Sequence, residues 1–142
     1  MNIHTPINQI RPDFYSASMT TGKVNVPLGR DFICFLIVEH IDDESFILEQ
    51  VDDILIAGCK GFGIYGAKEP RWHRLIDREN FELSTDDVDI VTAAGYFSKN
   101  DFAKALFRDL NDARTEKHDV YLLYDDEKLC EEVLQKVLEP ET

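Results

Sequence analysis

The sequence predicts an α/β fold: a three-layer αβα sandwich around a mostly parallel sheet of about four to five strands, flavodoxin-like or Rossmann-like. Three observations carry that prediction. Apolar runs of strand length alternate with stretches whose apolar residues recur at helical spacing, the pattern of parallel strands joined by helical crossovers. The run Phe32 to Val38 is continuously apolar, as a central strand buried on both faces requires. The helical stretches also carry start and stop signals in the right places.

Taken in order, residues 1–31 read as an irregular N-terminal arm, broken by Pro6, Pro12, Pro27, Gly22 and Gly29. Phe14-Tyr15 and Val24-Asn25-Val26 are its candidate short edge strands. Residues 32–142 read as a single α/β domain. After the strand at Phe32, the acids Asp42, Asp43 and Glu44 open a helix, complementing its dipole. Ile47, Leu48, Val51, Ile54 and Leu55 give that helix an apolar face, and Gly58 stops it. A second strand spans about Lys60 to Tyr65. Pro70 suits the first turn of the next helix, whose apolar face is Trp72, Leu75 and Ile76. Val88 to Ala94 reads as a third strand, and Ser98-x-x-Asp101 as a capping start to a third helix. Val120 to Tyr124 is the fourth strand. Asp125 or Asp126 caps a last helix with the stripe Leu129, Cys130, Val133, Leu134, Val137 and Leu138.

Composition excludes several classes of function. With 15 Lys and Arg against 28 Asp and Glu, the 142-residue chain carries a formal net charge of −13. Phosphate neutralisation needs clustered cations, so no nucleic-acid partner is expected. No window has the apolar length of a membrane span, and Met1 to Phe14 lacks the apolar core of a secretory signal, so the expected location is cytoplasmic, with no membrane partner. Three cysteines, odd in number and each among apolar neighbours, read as reduced core thiols.

The stretch 57–78 draws the eye, because it holds four of the seven glycines, the only tryptophan and five of the fifteen basic residues. Gly61, Gly63 and Gly66 spell G-x-G-x-x-G. That motif needs to follow a strand and open a helix, whereas here the glycines fall where a strand belongs. A glycine-rich strand approached closely by a backbone or an aromatic ring accounts for them better. Arg71, Arg74 and Arg78 share one helical face, either as an anion or acidic-partner site or as partners for nearby acids such as Asp77, Glu79 and Glu82. His73 stands four residues before Asp77, within reach of a helical hydrogen bond, but no nucleophile or metal motif accompanies the pair. Helix capping accounts for the acidic runs at Asp42 and Asp125, and neither a metal nor another cofactor is expected.

Fold geometry marks one more place. Ligands of open α/β sheets bind beyond the carboxyl ends of the strands, at the switch point in strand order. A flavodoxin-like order puts that point between the first and third strands, gathering Glu39, His40, Tyr96, Ser98 and Asp125 as a candidate ligand site.

The run Ala57-Gly58-Cys59, the aromatic-rich strand ending at Gly66, Trp72-His73, Ile76-Asp77, the Val91-Thr92 strand and the helix led by Ser98 together resemble small bacterial α/β domains of unknown function. The resemblance covers about residues 32–125, departing from the pattern at Tyr65, where a tryptophan is expected. It implies a bacterial cytoplasmic protein and makes Trp72, His73 and Asp77 its candidate functional helix. In size and charge the chain also resembles acidic immunity proteins, which block a basic toxin by electrostatic complementarity.

The leading expectation is a non-enzymatic module that binds a basic protein partner, such as a toxin. Its contact is expected at Asp42, Asp43, Glu44, Asp86 and Asp87, in two stretches that hold seven and five acids and no Lys or Arg. The alternative is a small-ligand or nucleotide-binding domain with hydrolase activity at the strand ends. A homodimer through Trp72, Phe62 and Tyr65 is a third expectation.

Overall fold

In the computed structural model, residues 7–27, 31–83, 91–116 and 118–138 are described. Ten elements follow one another: β1 (Asn8–Arg11), β2 (Phe14–Ser18), β3 (Phe32–Ile37), α1 (Glu44–Ala57), β4 (Cys59–Tyr65), α2 (Glu69–Leu83), β5 (Thr92–Tyr96), α3 (Lys99–Glu116), β6 (Asp119–Tyr124) and α4 (Glu127–Leu138). The strands form one six-stranded sheet in the order β1-β2-β6-β3-β4-β5. All neighbours run parallel except β1, which pairs antiparallel with β2. The α/β alternation expected from the sequence is what the chain builds.

Numbered within the alternating unit, β3 to β6 lie in the order third, second, first, fourth. This is the Rossmann-like arrangement, and it moves the switch point. The chain leaves β3 to one side for β4 and returns to the other side for β6, so the order reverses between β3 and β6, not between the first and third strands. The sheet also has six strands where four to five were expected. The extra strands come from the segment read as an irregular arm. Phe14 and Ala17 are fully buried, and Phe14 to Ser18 pairs residue for residue with Val120 to Tyr124. The candidate strand at Phe14-Tyr15 is thus real, but it runs to Ser18 and lies inside the sheet between β1 and β6 rather than at its edge. Val24 to Val26, by contrast, is no strand. The buried Gln50 side chain of α1 accepts from the Val24 N–H and donates to its carbonyl, both at 2.8 Å, satisfying that backbone without a sheet neighbour.

The two faces of the sheet hold separate cores. One gathers Cys34, Leu36, Phe62 and Ile64 beneath α1 and α2, with Trp72 fully buried. The other gathers Phe14, Phe35, Ile37, Val120 and Leu122 beneath α3 and α4. Alternation along each strand sends successive side chains to opposite faces, so the central strands need apolar residues at every position.

The capping signals hold up in detail. Asp43 accepts from the Phe46 N–H, Ser98 from the Asp101 N–H and Asp126 from the Leu129 N–H. Gly58 ends α1 at φ 115°, a conformation that costs a residue with a Cβ.

Candidate binding site at the strand ends

At the switch point the loop after β3 turns its backbone inward. The N–H groups of Glu39, His40 and Ile41 all donate to the carboxylate of Asp125, at 2.7, 2.9 and 2.7 Å. Three successive amides of this kind form an anion seat, the position where a Rossmann-like fold holds a phosphate. Here the occupant is the chain's own carboxylate, only 3% exposed. Glu39, His40 and Asp125 are thus brought together as expected, but as a strut between β3 and β6. His40 leans outward, its Nε2 2.8 Å from Asp126, and this contact raises its pKa above the usual 6.5.

The G-x-G-x-x-G glycines meet atoms of the fold itself. A Cβ on Gly63 would lie 2.6 Å from the Phe35 ring, and one on Gly66 would lie 2.4 Å from the Val38 carbonyl oxygen. The strand is glycine-rich because a ring and a backbone press against it.

Tyr96 and Ser98 stand at the end of β5, on the far side of β4 from Asp125, so the five strand-end residues do not form one site. Ser98 is spent as the cap of α3. Tyr96 instead joins Glu39 in a cleft of about 370 Å³ above the ends of β3, β4 and β5. Glu69, Tyr65, Pro70 and Phe97 complete its working walls. Tyr65 and Tyr96 both pack on Phe102 of α3, at 5.6 and 5.9 Å between ring centroids, which fixes them from behind. Phe97, at the lip, is 98% exposed. Sequence reasoning missed Glu69 and Phe97, since nothing local distinguishes a helix's first acid or a loop aromatic until the strand order places them side by side.

Both cleft carboxylates are held by one oxygen. Glu39 Oε2 accepts from the Ala67 N–H at 2.8 Å, and Glu69 Oε2 lies 2.7 Å from His73 Nδ1. Glu69 also leans on β5, where a Cβ on Gly95 would lie 2.2 Å from its Oε2. Glu69, not Asp77, is therefore the close partner of His73; Asp77 is 3.8 Å from the other ring nitrogen. Among the described residues, neither Glu39 nor Glu69 has a Lys or Arg partner.

The remaining expectations sort as follows. Trp72 is fully buried and its indole N–H donates to the Ile41 carbonyl at 2.8 Å, so it belongs to the core and not to a functional surface. Phe62 is buried too, so of the three aromatics expected at an interface between copies only Tyr65, half-buried, has surface to offer. Asp42, Asp43 and Glu44 are exposed, as a contact needs, but they are not free of intramolecular work. Asp42 pairs with Lys68 at 3.5 Å, Asp43 caps α1, and Glu44 lies 3.8 Å from Arg71 and 4.0 Å from Arg78. Arg71 and Arg78 of the α2 strip therefore face acids of their own chain, chiefly Glu44 at the start of α1. Asp86 and Asp87 lie outside the described residues.

No described cysteine is poised for chemistry. All three thiols are free and buried, and burial pushes Cys59 and Cys130 up to about 12 and Cys34 well above the usual 9.0. Among the described residues no three His, Cys, Asp or Glu side chains group as a metal site, and no helix is long and apolar enough to cross a membrane. No protein-family model, curated protein or solved structure matches the chain.

Proposed function

We propose that this protein is a non-enzymatic binding module that docks a basic partner protein, in the manner of an inhibitor or immunity-type protein. One observation carries the reading: the acids outnumber the bases nearly two to one, and several of the bases are already paired inside the molecule. Lys23 is held by Asp53, Lys68 by Asp42, Arg71 and Arg78 by Glu44, and Lys99 by Glu132. With 28 acids to 15 bases, such pairing leaves a surplus of carboxylates facing solvent. A surface of that kind steers basic partners toward it and repels acidic ones. The Asp125 strut supports the same choice, since the phosphate position of the fold is filled from within.

The test is titration calorimetry against a panel of basic nuclease domains and neutral proteins of equal size. Saturable one-to-one binding to a basic member, weakened at least tenfold between about 0.05 and 0.5 M salt, is the expected result. Equal binding of basic and neutral proteins at low salt would sink the proposal. The nucleotide-binding alternative is favoured instead if a nucleotide raises the melting temperature by several degrees, as a ligand of the native state must.

A further inference from the structure

We infer that the cleft above β3, β4 and β5 is a pocket for an arginine side chain presented by the basic partner; this deepens the proposed function and rests on it. The chemistry of the walls selects the ligand. Glu39 and Glu69 each commit one carboxylate oxygen to the fold, at the Ala67 N–H and at His73, and neither is met by a described Lys or Arg. Lys99, which begins α3 two residues after Phe97, is taken by Glu132 at 2.7 Å. The cleft thus brings together two carboxylates that no described Lys or Arg meets.

The aromatic side of the cleft narrows the class further. Tyr65, Tyr96 and Phe97 line it, the first two braced by Phe102 and the third fully exposed at the lip. An exposed phenylalanine loses free energy in water and recovers it when a flat group covers its ring. Guanidinium is such a group: planar, weakly hydrated, able to stack on aromatic faces while its N–H groups reach carboxylates in a fork. Ammonium is compact and strongly hydrated, and gains less from the same walls. A volume of about 370 Å³ admits a guanidinium with its aliphatic stem. Anions are refused by the two carboxylates, and a neutral aromatic would bring neither of them a cationic donor.

The probe is N-acetyl-argininamide, titrated into the 142-residue chain and followed by NMR, with N-acetyl-lysinamide and the uncharged N-acetyl-norleucinamide alongside. Saturable shifts at the amides of Gly66, Ala67, Tyr96 and Phe97, with argininamide at least threefold tighter than lysinamide and norleucinamide silent, are expected. Phe97→Ala and Glu39→Gln should each weaken binding at least threefold; Phe97 is too exposed for its loss to unfold the chain, so the test survives any damage from the second variant. Shifts scattered over the acidic surface, equal response to all three probes, or affinity unchanged by Phe97→Ala would each overturn the pocket. The two proposals fail separately. Argininamide bound in the cleft with no basic protein captured removes the partner reading and keeps the pocket, and basic proteins bound with a silent cleft do the reverse.

Discussion

At the scale of single residues, Gly61 and Gly63 make a controlled pair. They sit two apart on β4 and face the same side of the sheet, yet their surroundings differ. A Cβ at Gly61 would come 3.3 Å from the tip of Ile33, a flexible end that moves aside. At Gly63 it would strike the Phe35 ring at 2.6 Å, and that ring is 1% exposed and locked edge-on against Phe102 at 5.5 Å. Gly63→Ala is therefore expected to cost about 1–3 kcal/mol, the usual penalty of overpacking, while Gly61→Ala stays within about 0.5 kcal/mol. Urea unfolding of the two variants reads the difference. Equal losses at both positions would mean that the Phe35 ring does not set the need for glycine at Gly63.

At the scale of elements, Asp125 ties the end of β6 to the loop leaving β3. Removing its carboxylate strands three inward-facing amides at once. Asp125→Ala should cost about 3 kcal/mol or more, because unpaired buried donors lose more than the bond itself was worth. Amide exchange at Glu39, His40 and Ile41 should accelerate well beyond the change at the Phe46 amide, which Asp43 holds independently. Uniform acceleration across the chain would instead mean that the strut has no local role. Elements also explain how far the sequence could be read. Helix starts were legible because a cap is a local event: Asp43, Ser98 and Asp126 each bond an amide three residues on. The central strands were legible because burial on both faces demands unbroken apolar runs. Strand order was not, since whether β3 neighbours β5 or β6 depends on contacts about 90 residues apart. A flavodoxin-like order puts Tyr96 and Asp125 in one site, whereas in the sheet β4 and β3 separate their strands. Helical spacing allows His73 either acid, Glu69 four residues before or Asp77 four after, so sequence alone does not choose between them. Only the lean of Glu69 against Gly95 fixes the nearer one.

For the whole molecule, the decisive term is the excess of acid, and one carboxyl shows what it does to stability. Glu79 of α2 is 8% exposed and hydrogen-bonded to Asp52 of α1, an interaction that together with burial and the charges of Asp52 and Glu82 raises its pKa from 4.5 to about 7; Arg78, 3.9 Å away, opposes the rise. A raised acid holds its proton in the fold and releases it when unfolded. Between about pH 4.5 and 7 the native state therefore binds more protons than the unfolded one, so this group's support for the fold is complete at low pH and is lost as pH rises. Glu79→Gln keeps a hydrogen-bonding side chain without the charge. Its stability relative to the parent chain should accordingly climb with pH, reaching a gain on the order of 1–3 kcal/mol above pH 7 and little below pH 4.5. His40, also raised, sends the parent's own profile in the same direction, while Asp126 and Glu132, both lowered, oppose it. The difference between parent and variant cancels those shared contributions, so it isolates the α1–α2 contact. Denaturation at about pH 4.5, 6 and 8 gives that difference directly, and a variant that tracks the parent at all three values would mean that folding does not raise the Glu79 carboxyl. Positive charge approaching α1 and α2 from outside favours the charged form of Glu79, so the same titration repeated with a bound basic partner should show its pKa fall.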